Sequence, residues 1–229
     1  MSKIYIPAKN AEEWKNLLSE PEKHWRTGFS AKSLAYCWQD KNDFPDSVTD
    51  VFSQYGKPFC DCKSLLIFPE HKVPLKGGNR PSQNDLWILA KSADDLVSIT
   101  VEGKVNETFG ETLGEWMPED ARSNKLERLD FLKETLGLDN LPGESIRYQL
   151  IHRTASSLIE AKRFNAEHAL MLVHSFSQED NHFNDYAEFV SLFNAKDKAS
   201  VNGIVSGGIV DSVSLYLGWV RGEQEYLTR

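Results

Sequence analysis

The stretch from residue 84 to residue 104 constrains the fold most, because it predicts two strands joined by a tight turn. Residues 86–89 form a short apolar run, which is typical of a buried strand. Ala93 and Asp94 are residues that favour a turn. From residue 97 to residue 105, apolar or small residues alternate with polar ones, as they do in a strand that packs one face on a core. The stretch therefore predicts a β-hairpin within a larger sheet.

The alternation in the second strand places Glu102 and Lys104 on the same face. Asp85 begins the first strand. A hairpin centred near Ala93 and Asp94 brings Asp85 opposite Glu102 within about a residue or two. The sequence therefore predicts that two carboxylates and one lysine converge at one end of the strand pair.

This group of side chains is suited to phosphate chemistry. A hard divalent cation such as Mg²⁺ or Mn²⁺ is held by carboxylates, waters and substrate phosphate oxygens. Such an ion activates water and stabilises charge on phosphorus, and a nearby ammonium group assists it. We therefore predict Asp85 and Glu102 as metal ligands and Lys104 as a catalytic residue. The alternative is a solvated polar strand face with an incidental ion pair.

Asp85, followed seventeen positions later by Glu102-Gly103-Lys104, resembles the PD-(D/E)XK signature of the restriction-endonuclease-like nucleases. Asn84 stands where the signature has proline. The resemblance implies a nuclease that uses Mg²⁺ or Mn²⁺.

The pattern occurs a second time, as Asp61 followed by Glu70-His71-Lys72. We set this copy aside because residues 64–68 predict a single apolar strand with no room for a hairpin. Pro69 also interrupts strand pairing just before Glu70.

The predicted order of elements supports the same resemblance. It runs helix, three strands, helices, strand, helix and strand, with a helix at 123–136 that departs from the family pattern. Residues 201–214, rich in Gly and Ser, are expected to form a loop before the last strand. Roughly residues 30–174 resemble the restriction-endonuclease-like core, so we expect an α/β fold with a mixed central sheet flanked by helices. Residues 1–29 are then an N-terminal extension, and residues 30–229 the nuclease-like domain.

Some nucleases of this superfamily carry a glutamine and a later polar residue on the helix that follows the Glu-x-Lys strand. Gln149 and Arg153 resemble this pair, with Arg153 where those nucleases often have tyrosine. They lie four residues apart and therefore on one side of the predicted helix. The resemblance implies that both contact the phosphate or order the site.

A basic segment precedes the first strand of the hairpin. Lys72, Lys76 and Arg80 lie in a stretch without acidic residues, from residue 71 to residue 80. Basic side chains beside an acidic metal site suit the approach of a phosphate backbone, so we predict that these three bind nucleic acid. The alternative is a solvated loop. Trp116 is similarly open to two roles, base stacking or packing.

Composition limits the classes of function. The formal net charge of −8 counts against a protein that simply coats nucleic acid, but not against an enzyme with a local basic track. Three cysteines, an odd number, favour a reducing cytoplasm. The N-terminal residues lead into a charged helix, and no long apolar run follows, so neither a signal peptide nor a membrane span is expected.

Two hypotheses follow. The first is a metal-dependent nuclease that hydrolyses phosphodiester bonds, with DNA as the expected substrate. The second is a catalytically silent nuclease-like binding or regulatory module, for example an acidic partner of another protein, which the net charge of −8 favours. The sequence leaves a homodimer or a protein partner open.

Overall fold

In the computed structural model, residues 8–41, 43–117, 123–140, 142–193 and 198–229 are described. Within these ranges, six strands form one mixed sheet with helices on both faces. The strands are β1 Lys63–Val73, β2 Ser82–Ser92, β3 Asp95–Lys104, β4 His168–Ser175, β5 Gly203–Val210 and β6 Val213–Arg221. The α-helices are α1 Pro21–His24, α2 Ser30–Lys41, α3 Asp46–Tyr55, α4 Leu113–Trp116, α5 Ser123–Leu136, α6 Tyr148–Phe164 and α7 Phe183–Val190. Three 3₁₀ helices cover Ala11–Leu17, Ser191–Phe193 and Gln224–Thr228.

The strand order across the sheet is β1-β2-β3-β4-β6-β5. The first three strands form an antiparallel meander, and β3, β4 and β6 are parallel to one another. Helix α6 leads from the meander side of the sheet to β4, as parallel strands require a crossover. The predicted α/β class, with a mixed sheet between helices, is confirmed.

The central hairpin has the predicted turn and register. Ser92 pairs with Asp95 around a two-residue turn, in which Ala93 has a φ of 50°. Leu86 pairs with Val101, so the next residues outward, Asp85 and Glu102, are aligned. Because directly opposite residues on antiparallel strands project to the same face, the two carboxylates lie on one side of the sheet.

The two faces of β3 have different partners. Its apolar residues pack into the core formed with α2 and α3. Its polar residues face α6: Ser98 Oγ donates to the carbonyl of Ser157 at 2.9 Å, and Thr100 Oγ1 donates to that of Arg153 at 3.1 Å. Glu102 and Lys104 continue this row and are only 2% and 4% exposed. The alternative of a solvated polar face is therefore wrong.

The Gly- and Ser-rich stretch at 201–214 is not a loop. It forms β5 and pairs with β6 in an antiparallel hairpin. Asp211 and Ser212 at the turn both have positive φ, of 46° and 71°, as a tight two-residue hairpin turn requires. The prediction of a loop was wrong because turn-forming residues predominate in this stretch, whereas pairing with β6 determines its conformation.

The segment before α2 packs onto the domain from residue 8 onward. Trp14 is 4% exposed, and its indole N–H donates to Gln39 Oε1 at 3.0 Å. Ser19 Oγ donates to Gln83 Oε1 on β2 at 3.4 Å. Trp14, which lies in the predicted N-terminal extension, thus belongs to the same hydrophobic core as α2. Within the described ranges, no helix has the length and apolar character to cross a membrane.

The meander supplies a direct test of core packing. Ile67, Ile88 and Ile99 pair across β1, β2 and β3, and each is fully buried. We expect Ile88→Ala to lower the free energy of unfolding by about 2–5 kcal/mol, because it leaves a cavity in this row. Ile209→Ala is the same substitution at a residue that is 76% exposed. It should change the free energy of unfolding by no more than about 0.5 kcal/mol. Urea denaturation measures both, and equal losses would contradict the assigned core.

Candidate active site

A cleft of about 470 Å³ opens where the end of β3 meets α6. Its floor contains Glu70 of β1, Asp85 of β2, and Glu102 and Lys104 of β3. One wall comes from the N-terminal segment, and the other comes from residues 107–111 and the first turns of α6. The cleft is thus where the predicted catalytic residues are brought together.

Glu102 is the centre of the hydrogen-bond network on this floor. Its Oε1 accepts from Lys104 Nζ and from Gln149 Nε2, both at 2.7 Å. Its Oε2 accepts from Arg153 Nε at 2.6 Å. Lys104 Nζ also donates to Gln149 Oε1 at 3.1 Å. The structure therefore brings four of the predicted residues into one buried network.

Two features of the local sequence make this network possible. Gln149 and Arg153 are one helical turn apart on α6, so both reach the same carboxylate. Gly103 lies between the two charged residues of β3, and a Cβ there would come within 3.2 Å of Leu34 Cδ2 on α2. The glycine thus allows α2 to pack closely behind the site. Its N–H donates to Asp85 Oδ2 at 2.8 Å.

The charges around Glu102 control its ionisation. Burial alone would raise its pKa, but Arg153 and Lys104 outweigh burial and hold the pKa of Glu102 below its usual value. A buried carboxylate that is paired and hydrogen-bonded in this way stays ionised. Glu102 is therefore the anchor for two cationic side chains.

Asp85 is held less firmly. Its side chain is 24% exposed, and its Oδ1 lies 3.9 Å from Arg153 Nη2. Burial and the neighbouring charge of Glu102 raise the pKa of Asp85 to about 7, although Arg153 and Lys104 act in the opposite direction. Asp85 thus lacks the short cationic contacts of Glu102 and presents an oxygen to the cleft.

Glu70 is a third carboxylate of the site, which the sequence analysis had set aside. On β1, Pro69 pairs with Leu86 and His71 pairs with Asn84, so Glu70 is aligned with Asp85. Residues 64–68 do form one strand, as predicted, but β1 continues to Val73 and carries Glu70 into the cleft.

Glu70 is partly engaged by a neighbour. Gln83 Nε2 donates to its Oε2 at 2.6 Å. Burial and the charge of Asp85 raise the pKa of Glu70 to about 8. Its backbone φ of 52° is unusual for a residue other than glycine. The sequence signal for this residue was the second copy of the motif, but only the pairing of β1 with β2 shows where it lies.

These residues are of the type that binds a hard divalent cation, although Glu70, Asp85 and Glu102 do not all bring an oxygen within 4.8 Å of one another. Glu70, Asp85 and Glu102 follow one another across three adjacent strands, and carboxylate oxygens are the ligands that Mg²⁺ and Mn²⁺ prefer. Both oxygens of Glu102 already accept hydrogen bonds from side chains. Glu70 and Asp85 each keep one oxygen without a short hydrogen bond from the described part of the chain. We therefore expect Asp85 and Glu70 to be the more accessible ligands, beside the predicted Glu102.

A second cluster of potential metal ligands lies on the opposite face of the sheet. Ligand atoms of Cys37, His174 and Glu223 come within 4.8 Å of one another. However, the indole N–H of Trp38 donates to His174 Nδ1 at 3.1 Å. Because an indole can only donate, the neutral ring must carry its proton on Nε2, which faces Ser47 Oγ at 3.4 Å.

Neither nitrogen of His174 then has a lone pair free for a metal ion. Burial lowers the pKa of His174 to about 4 and strongly raises the pKa of the Cys37 thiol. The thiol lies 3.6 Å from Glu223 Oε2 as a hydrogen-bond donor. This cluster is therefore a hydrogen-bond network, with Glu223 as its ionised member, that links α2 to the residues after β6.

The predicted nucleic-acid-binding residues Lys72, Lys76 and Arg80 are exposed, but none of them lines the cleft. Lys76 Nζ lies 5.5 Å from the centre of the Phe131 ring on α5. Arg128 of the same helix donates to the carbonyl of Lys76 at 3.0 Å. The structure thus packs part of the basic segment against α5 and does not bring its side chains to the site.

Trp116 has a packing role. Its ring stacks on Tyr148, with centroids 4.1 Å apart and an interplanar angle of 13°. Lys125 Nζ lies 5.0 Å from the centre of the Trp116 ring and donates to its carbonyl. Of the two roles that the sequence left open, the structure favours packing.

The raised pKa values of Asp85 and Glu70 predict how stability depends on pH. Their ordinary values are 3.8 and 4.5, and the folded values are about 7 and about 8. Between these limits the folded state binds more protons than the unfolded state, so the free energy of unfolding falls as pH rises. His152 and His174 have lowered pKa values and act in the opposite direction below their ordinary value of 6.5. We therefore expect the melting temperature in EDTA to fall from pH 6.5 to pH 8.5, and Asp85→Asn to reduce this fall.

Glu22→Gln is the control, because the Glu22 side chain is 89% exposed. It should leave the pH dependence of the melting temperature unchanged. An Asp85→Asn variant with the same pH dependence as the wild type would show that the pKa of Asp85 is not raised in the folded protein.

Comparison with known proteins places the chain in a family. No curated protein and no solved structure matches it. Residues 7–224, nearly the whole chain, match the model of a family described as a domain of unknown function, DUF6946. The chain is a member of the DUF6946 family.

Proposed function

We propose that this protein is a metal-dependent nuclease that hydrolyses phosphodiester bonds, with DNA as the expected substrate and Mg²⁺ or Mn²⁺ as the cofactor. The observation that carries the proposal is the alignment of Asp85 with Glu102 and Lys104 on adjacent strands at the floor of one cleft. The element order, with three strands before α6 and β4, supports a restriction-endonuclease-like fold.

The three carboxylates of the cleft floor have different roles in this proposal. Asp85 and Glu70 present oxygens that would hold the cation, and Glu102 would complete the set. The cation, when bound, would polarise the phosphate and increase the acidity of a water molecule. Glu102 also holds Lys104 and Arg153 in place through its hydrogen bonds, so it positions the cationic groups of the site.

Lys104 is placed to act on a water or a phosphate oxygen. An ammonium group has three N–H donors, and Glu102 and Gln149 use two of them. The third donor has no hydrogen-bond partner among the described residues, and Nζ lies 5.0 Å from the centre of the Phe109 ring, which also lines the cleft. We propose that this donor binds a group that enters the cleft. A donor that is held in advance stabilises developing charge without reorganisation.

Gln149 and Arg153 support this arrangement more than they reach into the cleft. Gln149 contacts both Glu102 and Lys104. Arg153 donates to Glu102, and its Nη1 lies 3.3 Å from Ser82 Oγ. Of the roles that the family resemblance implied, ordering the site is the one that these contacts favour.

One observation favours the second hypothesis, a nuclease-like module without catalysis. Both oxygens of Glu102 are satisfied by Lys104, Gln149 and Arg153, which is also what a self-sufficient structural network requires. In that case the cleft binds neither cation nor nucleic acid, and the two hypotheses separate on metal binding.

Two variants test the proposed roles. Asp85→Asn removes a ligand oxygen's charge, so both Mn²⁺ affinity and cleavage should fall. Lys104→Met keeps the length of the side chain and removes only the ammonium, so Mn²⁺ should still bind. Cleavage should then fall by about 10²–10³-fold, the scale for losing one electrostatic stabiliser. Calorimetric titration with Mn²⁺ and a cleavage assay on single- and double-stranded DNA measure these effects.

Lys91→Met is the matched control, because Lys91 is exposed on β2 and does not line the cleft. It should cleave at the wild-type rate. Wild-type protein that binds neither ion at millimolar concentration and cuts no substrate would support the silent module. Cleavage by Lys104→Met at the wild-type rate would remove Lys104 from the mechanism.

A further inference from the structure

The shape of the cleft restricts what can reach its floor. Leu18 and Ser19 of the N-terminal segment line one side, and residues 107–111 line the other. Glu107 joins the two walls: its Oε1 accepts from the backbone N–H of Ser30 at 2.9 Å, and its Oε2 accepts from that of Val105 at 2.8 Å. This contact therefore joins the two walls of the cleft at the start of α2.

The size of the cleft points the same way. Its volume of about 470 Å³ lies within the range of about 300–1,000 Å³ that is typical of pockets for one small ligand. Glu102 and Lys104 at its floor are only 2% and 4% exposed. A scissile phosphate must therefore enter between the two walls to reach this floor.

The charge of the cleft also opposes a duplex. Among the residues that the structure describes, two permanent cations, Lys104 and Arg153, line the cleft together with five carboxylates: Glu70, Asp85, Glu102, Glu107 and Glu111. Duplex DNA carries one negative charge per about 1.7 Å of its axis, twice the density of one strand. With the basic residues Lys72, Lys76 and Arg80 outside the cleft, few phosphates can be neutralised there.

We propose that the cleft takes one end of a single nucleic-acid strand, about two nucleotides, the size of a small-molecule ligand. This inference rests on the proposed nuclease function and specifies its substrate. In the reaction, a water oxygen forms a bond to phosphorus and the ester bond to the leaving sugar oxygen breaks. The leaving oxygen keeps the electron pair and takes one water proton, and the other proton goes to solvent.

Three DNA substrates of one sequence test the inference: a linear single strand, its blunt duplex, and the same strand closed into a circle. With Mn²⁺, the linear strand should be shortened from an end. The duplex should be cut at least about tenfold more slowly, and the circle should stay intact. Cutting of the circle, or equal rates on the duplex, would overturn the inference while leaving the nuclease function in place.

A substitution in the wall separates access of the substrate from binding of the metal ion. Leu18→Trp fills part of the cleft, so cleavage of the linear strand should fall by about tenfold through KM. Its Mn²⁺ affinity should equal that of the wild type, because Leu18 is not on the carboxylate floor. Leu126→Trp, at a residue on α5 that is 48% exposed, is the matched control and should change neither.

Binding by the Asp85→Asn variant, followed by fluorescence anisotropy, supplies the last measurement. Two phosphate contacts on a single strand predict a log-affinity against log-salt slope of about −1.4, at about −0.7 per contact. Replacing Lys72, Lys76 and Arg80 by alanine should leave this slope unchanged. A steeper slope that depends on those residues would show a longer bound strand and contradict the inference. If no DNA is cut and no Mn²⁺ binds, the nuclease function itself fails.

Discussion

The ionised carboxylate of Glu102, buried between β3 and α6, is the interaction on which the rest of this site depends. Removing a carboxylate from water is costly unless donors replace its hydration. Here Lys104, Gln149 and Arg153 supply those donors, at 2.6–2.7 Å. Because two of the donors belong to α6, the contact also determines how that helix lies on the sheet. The same bonds that stabilise the packing thereby orient the ammonium group at the cleft.

The other two carboxylates of the row have the opposite character. Arg153 and Lys104 make their short ionic contacts with Glu102. Asp85 and Glu70 therefore lie close together with little positive charge near them. Their pKa values rise to about 7 and about 8, chiefly through burial and then through a neighbouring carboxylate. Such an arrangement is unfavourable for stability unless a cation joins it, which is why it suits a metal-dependent function.

Segments outside the sheet form the walls of the cleft, and the sheet forms its floor. The N-terminal segment is fastened by Trp14 and Ser19, and Glu107 ties the opposite wall to the start of α2. The floor supplies the chemistry, whereas the walls decide which molecules approach it. The carboxylate floor and the two walls of the cleft therefore come from different parts of the chain.

The sequence by itself determined the central hairpin and, with it, the alignment of Asp85, Glu102 and Lys104. Alternation with a period of two assigns faces, and a two-residue turn leaves one register, so local information was sufficient. The place of Glu70 was decided only in the tertiary structure, because residues 74–81 separate β1 from β2 and a longer connection permits several registers. For the same reason, the walls of the cleft and the position of the basic segment depend on contacts between distant parts of the chain. No local pattern encodes such contacts, since their free energy arises only when the packed core brings the partners together.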